Sequence, residues 1–436
     1  ALIYEGGSTF KKRILDDIGD QDIVSELINK RSDSEFLDLM ANLGGHCVQT
    51  LIKVFEKVKD DKPTAFIAYT IKGWGTPLAG HKDNHAGLMT KAQMNSFKLK
   101  YGISDGNEWN RFSDEKNNVE LDKYIKNLSF QKAKHRKYQS KKVLVDENVF
   151  IKETKISTQN AFGKILDQYA KNNTDFSQRI LTTSPDVSVS TNLGPWINRK
   201  GLFSRKDSSD TFKDRKIPSA QKWIFSSQGQ HIELGIAEMN LFLMLGAAGL
   251  SHEFFGERLF PIGTVYDPFI SRGLDAMNYA CYQDARFMIV GTPSGISLAP
   301  EGGAHQSIGT PLIGISQPGL LSFEPAFADE LALIMNYGFN YLQDEAGGSI
   351  YLRLTTRSID QPMREIDNEL KNNIIKGGYW LKKPGPNPEV IIVYQGAVAI
   401  EAIESTALLG EKFKNSGVLS ITSSDKLFHE WKNQNS

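Results

Sequence analysis

Cysteine is scarce in this 436-residue chain: Cys47 and Cys281 stand far apart and have no companions. Two such residues cannot build a disulfide framework, and the count suits a reducing compartment. An excess of charge of one sign is lacking too. Lys+Arg and Asp+Glu both total 51, which argues against a dedicated polyanion binder and leaves only local patches open. No apolar run reaches the ~18 residues that a membrane span needs. No solenoid-length repeat is present, and no signal-peptide pattern opens the chain. The expectation is a cytoplasmic protein with neither a membrane nor a nucleic-acid partner. The first residue is Ala, and the last stretch, "FHEWKNQNS", carries no ending signal, so a fragment of a longer protein is expected.

What is present is alternation. Short apolar runs, "AFIAY" (65–69), "RILTT" (179–183), "LFPIGT" (259–264), "FMIVG" (287–291), "IYLRL" (350–354) and "EVIIVY" (389–394), are separated by helical periodicity at 48–58, 158–171, 270–283, 326–342 and 397–414. Buried strands alternating with helices predict an α/β fold, with parallel sheets flanked by helices and several domains in tandem. The expected divisions are residues 1–95, the end of one α/β domain; 96–155, a polar linker; 156–345, a complete α/β domain; and 346–436, the start of another. The basic run "QKAKHRKYQSKK" (131–142) reads as part of a solvated linker, with a docking patch as the alternative.

One stretch resists a purely structural reading. In "GQHIELGIAEMNLFLMLGAAGL" (229–250), Glu238 opens an otherwise apolar helical segment with no cation three or four places away. If buried, it must find a partner, because an unpaired buried carboxylate costs several kcal/mol. In parallel α/β sheets, ligands bind beyond the carboxyl ends of the strands. The residues in those places are Asp186 after the 179–183 run, Tyr266 and Phe269 after 259–264, and Glu301 and His305 in the Gly-rich loop after 287–291. In the first domain they are Lys72, His81 and His85 after 65–69. Taken singly, each has an ordinary alternative: a carboxylate at a helix start, core aromatics, a loop histidine, a surface lysine. Together on one rim, a carboxylate, two aromatic rings and an imidazole suit a flat, partly basic heterocycle.

"GIAEMN", "YTIKGWGTPLAGHKDNHAG" and "APEGGAHQ" resemble thiamine-diphosphate enzymes of the transketolase superfamily. They are most similar to the homodimeric decarboxylating component of pyruvate dehydrogenase. The resemblance implies the thiamine-diphosphate-binding fold, with 1–95 in the diphosphate-binding domain, 156–345 as the pyrimidine-binding domain, and 346–436 as a transketolase C-terminal-like domain. It implies that Glu238 hydrogen-bonds the pyrimidine N1′ and favours the imino form that deprotonates the thiazolium carbon. By the same resemblance, Tyr266 and Phe269 pack on the pyrimidine and Asp186 lies near the cofactor. Glu301 and His305 face the substrate carbon, Lys72 lies beside the substrate and diphosphate end, and His85 serves acyl transfer to lipoamide.

The implied activity is oxidative decarboxylation of pyruvate or a close 2-oxo acid, with a lipoyl domain of an acyltransferase as partner and a homodimer as the assembly. The cofactor would lie between the first domain of one subunit and the middle domain of the other. Two departures stand out. The Gly-Asp-Gly…Asn motif for the diphosphate's magnesium is absent, and "SDGNEW" (104–109) does not replace it, since no apolar strand leads into it. The metal ligands are therefore expected upstream of Ala1, which makes the fragment alone inactive. "QSIGTP" also follows His305, where the better-known relatives carry further histidines. Ketol transfer between sugar phosphates and a non-catalytic subunit that keeps the fold remain the alternatives.

Overall fold

The computed structural model describes residues 2–19, 22–60, 62–111, 118–128, 131, 140–147, 149–206, 214–219, 221–410 and 412–435. The chain divides into two compact units, 1–132 and 133–436. Most of the basic run at 131–142 lies outside the described residues.

The first unit is helical. Helices Gly7–Ile18, Asp22–Asn29 and Asp33–Ala41 close around a small core of Phe10, Ile28 and Phe36. Capping boxes start two helices, Ser32 with Glu35 and Thr90 with Gln93, and satisfy backbone N–H groups that would otherwise lack partners. The 48–58 periodicity is realised as helix Val48–Phe55. The expected strand at 65–69 is not one: among the described residues of this unit there is no strand, and Ile67 is 99% exposed. Apolar composition favours a strand only where a ladder partner accepts its hydrogen bonds. The expected polar linker also has structure, with helices Lys91–Lys100 and Asn118–Asn127 in the first unit.

The second unit is built on an eight-stranded parallel sheet. Its strands are β2 (Ile180–Ser184), β3 (Leu202–Phe203), β4 (Phe225–Ser226), β5 (His231–Glu233), β6 (Phe260–Val265), β7 (Met288–Gly291), β8 (Leu320–Phe323) and β9 (Ser349–Arg353), after a short β1 (Lys155–Ile156) outside it. The spatial order is β4-β3-β5-β2-β6-β7-β9-β8. Successive side chains of a strand point to opposite faces. Met288 and Val290 accordingly join one core, with helices Thr158–Asn172 and Ala328–Tyr341. Phe287 and Ile289 join the other, with helices Glu238–Gly249 and Leu274–Tyr282. Val143, Val145 and Val149, from the end of the expected linker, are buried in the first of these cores.

The strand at 350–354 also differs from expectation. As β9 it lies between β7 and β8 inside the large sheet, so the middle α/β layer runs past residue 345. Its burial on both faces suits an interior parallel strand. Beyond it, three further strands form a separate small sheet, flanked by helices that include Ala399–Gly410 and Ser424–Asn435. No helix among the described residues is long and apolar enough to cross a membrane.

Candidate active site

Four adjacent strands, β5-β2-β6-β7, end beside one another and deliver the candidate residues of the second unit. After β5 the chain turns at Gly235 and enters helix Glu238–Gly249, with Ala237 as the cap residue. Glu238 is its first residue, where the helix dipole favours a negative charge. After β6, the segment Asp267–Gly273 forms a 3₁₀ helix that packs on the start of this helix. Gly273 permits the approach, because a Cβ there would run into the Phe242 ring and crowd the Glu238 carbonyl.

That approach supplies the partner missing from the local sequence. The Arg272 guanidinium donates to Glu238 Oε1 at 2.7 Å. The carboxylate side chain is 11% exposed and the arginine 54%. The same guanidinium lies over the Phe269 ring, 3.9 Å from its centroid. Arg272 therefore does not project freely from a solvated face.

Tyr266, Phe269 and His305 form a cluster of rings. Centroids are 5.9 Å apart for Tyr266–Phe269, 5.7 Å for Tyr266–His305 and 5.3 Å for Phe269–His305. Glu301 Oε2 lies 3.6 Å from His305 Nε2. The other ring nitrogen, His305 Nδ1, is buried and has no hydrogen-bond partner. A buried unpaired polar atom carries a desolvation penalty and marks a place where a ligand group can bond.

Asp186 stands at the end of β2 in a left-handed conformation, φ 63°. Its backbone N–H donates to Glu233 Oε1 at 2.8 Å. Glu233 also accepts from Ser188 at 2.5 Å, and Ser188 Oγ lies 3.0 Å from Nε2 of the buried His231, whose Nδ1 contacts Thr182. Burial alone would raise the Glu233 carboxyl. Hydrogen bonds from His231 and Ser188 outweigh it and hold the group below the usual carboxylate range. The Asp186 loop is thus fixed through a network that composition did not announce.

Lys72 and His85 belong to the first unit, where they meet directly. Lys72 Nζ is 2.7 Å from His85 Nδ1. An ammonium can only donate, so Nδ1 accepts and any proton on a neutral imidazole sits on Nε2. Asn84 holds the loop by donating to the Lys72 and Leu78 carbonyls. His81 packs against Tyr4 instead, at 4.4 Å.

Beneath the ring cluster lies a second network that the sequence reading missed. Asp267, fully buried, accepts from the hydroxyls of Ser307, Thr310 and Tyr351 and from the Arg353 guanidinium. Arg353 also pairs with Glu324. Burial and the neighbouring Asp267 raise the Glu324 carboxyl against the lowering effect of Arg353. Gly291 leaves room for Asp267, since a methyl there would meet its carboxylate. Arg353 was detectable by the criterion that singled out Glu238: a charge inside an apolar run, here "IYLRL". Among the described residues no group of three or more His, Cys, Asp or Glu could hold a metal ion.

Comparison with known proteins gives the family and the fold. The family described as "Pyruvate dehydrogenase E1 component middle domain" matches residues 139–362, just over half the chain. The chain belongs to the pyruvate dehydrogenase E1 family. This E1-family chain is 26% identical over 377 residues to the pyruvate dehydrogenase E1 component of Buchnera aphidicola subsp. Schizaphis graminum, covering 82% of the chain and 42% of that protein. It is 25% identical over 419 residues to that of Escherichia coli (strain K12), covering 88% and 46%. It thus spans less than half the length of these relatives. Among solved structures, a transketolase from Leishmania mexicana superposes with a TM-score of 0.65 at 18% identity, covering 87% of this chain and 54% of that one. That likeness establishes the transketolase-type α/β fold.

Proposed function

We propose that this chain carries the pyrimidine-binding part of a thiamine-diphosphate site. The protein then decarboxylates pyruvate or a close 2-oxo acid and passes the acyl group to a lipoyl domain. One observation carries the reading: a planar nitrogen cation, the Arg272 guanidinium, already rests on Phe269 and bonds Glu238. A surface with that donor and acceptor set suits an aminopyrimidine, which is flat and offers ring and amino nitrogens.

Thiamine diphosphate, when bound, supplies the electron sink for the decarboxylation. The chain's own residues do the rest. Glu238 would hold the ring nitrogen by a hydrogen bond, strengthened where water is excluded. Tyr266 and Phe269 would flank the ring. His305 would hold or deliver a proton at Nδ1, with Glu301 steadying Nε2. Asp186 would border the cofactor from the neighbouring loop. In the first unit, Lys72 would attract the anionic end of substrate or cofactor, and its contact orients His85, the residue matched to acyl transfer. No magnesium ligand is assigned within the described residues. A homodimer and a cytoplasmic setting are proposed on the resemblance alone.

The test is Glu238→Gln in the intact protein. The neutral amide keeps the shape and loses the charge. Turnover of pyruvate with an artificial electron acceptor should fall roughly 10²- to 10⁴-fold, the scale of a positioned acid–base group, with the fold retained. Unchanged turnover would refute the assigned role. Turnover of xylulose 5-phosphate with ribose 5-phosphate, in place of pyruvate, would replace the reading by ketol transfer.

A further inference from the structure

The contact that supports the site also obstructs it. Glu238 and the Phe269 face are the two features an aminopyrimidine would need, and the Arg272 guanidinium engages both, at 2.7 Å and 3.9 Å. Guanidinium and aminopyrimidine share a planar N–C–N edge that pairs with a carboxylate and a face that stacks on a ring. Both cannot hold the same carboxylate oxygen and ring face together.

The arginine is placed to leave. Its side chain is half exposed, whereas Glu238 is nearly enclosed. It projects from the last turn of a short 3₁₀ helix, and its only fixed partners among the described contacts are Glu238 and Phe269. Its neighbours do not share that freedom. Ile270 and Gly273 are buried, and Asp267 is anchored in the network below. Rotation of one side chain into solvent would clear the site without moving the backbone.

We propose that Arg272 is a latch on the pyrimidine-binding surface, an internal competitor that the cofactor must displace. The inference rests on the thiamine-diphosphate reading of Glu238. A partly exposed ion pair contributes little and a cation over a ring somewhat more, so the closed state outweighs the open one modestly. The apparent dissociation constant is the intrinsic one divided by the open fraction. Removing the arginine should therefore tighten binding roughly three- to thirtyfold.

The experiment is calorimetric titration of thiamine diphosphate with Mg²⁺ into the intact protein, its Arg272→Ala variant and its Arg272→Gln variant, with far-UV circular dichroism as the folding control. Binding should be tighter in both variants, and the association rate in stopped flow should rise by a similar factor. The gap between wild type and variants should narrow as salt is raised, because salt weakens the exposed pair only where it exists. Equal or weaker binding in two folded variants would overturn the latch and make Arg272 a support for Glu238. If the wild type and both variants bind no thiamine diphosphate, the cofactor reading itself fails and the latch falls with it.

Discussion

Asp267→Asn tests whether the buried network below the rings holds the Gly-rich loop in place. The substitution preserves volume and removes one charge. Asp267 is fully buried and receives hydrogen bonds from Ser307, Thr310, Tyr351 and Arg353. Removing one partner of a buried ionic network costs about 3–5 kcal/mol. Arg353 keeps Glu324, so no cation is stranded, and the expected loss falls to about 2–4 kcal/mol. In a domain of about 150–250 residues that is a drop of roughly 4–16 °C in melting temperature. The loss should also be local. Ser307 and Thr310 anchor the loop that carries Glu301 and His305, so amides in 295–310 should exchange hydrogen faster. Those of helix Ala328–Tyr341, on the other face of the sheet, should keep their protection under native conditions. Thermal denaturation and hydrogen exchange by mass spectrometry read both. A variant that melts within about 1 °C of wild type, with unchanged exchange at 295–310, would refute the anchoring argument.

Two other groups give separate predictions. His252 is buried, and burial first, then the Arg258 and Arg286 cations, hold its imidazole down at about 4. A base depressed on folding contributes stability that is complete above its unfolded value of 6.5 and is lost as pH falls from there toward 4. Denaturant titrations should show up to about 3 kcal/mol lost across that window, and His252→Gln should flatten it; an unaltered slope would contradict the assignment. The thiols should differ in reactivity. Burial pushes Cys281 up to about 12, while hydrogen bonding from Thr50 lowers Cys47. A disulfide reagent at mildly alkaline pH should find one fast thiol, abolished by Cys47→Ser, and a second only on unfolding.

Much of the fold was legible because interior parallel strands are nearly pure in composition. β2, β6, β7 and β9 announce themselves as apolar runs, and the strand–helix alternation follows from the chain order. The position of β9 was not legible. A strand's neighbours depend on which crossover returns to which edge, and no local pattern records that. Ile67 shows the converse: its run has strand composition, but pairing is a property of two segments and not of one. The ring cluster could be anticipated because strand ends in a parallel sheet share one edge. The Arg272–Glu238 pair could not, because it joins residues 34 positions apart through packing that a glycine at 273 allows.

The two charged contacts at the site differ in energetic kind, and that difference bears on how the site works. Asp267 is enclosed, so its attraction to Arg353 is screened little by salt, and its loss would leave several buried donors unpaired. Arg272–Glu238 is half in water, so it is weak, salt-sensitive and replaceable by a ligand of the same shape. On the proposed function, in which the site takes a rigid heterocycle, this division is an advantage. The imidazole and the rings need a fixed geometry before binding, since disorder there would be charged against affinity. The carboxylate needs a partner until the ligand comes, because a nearly enclosed anion without one is destabilising. An exposed arginine satisfies that need and can still be displaced, whereas a buried one, held as Arg353 is, could not be.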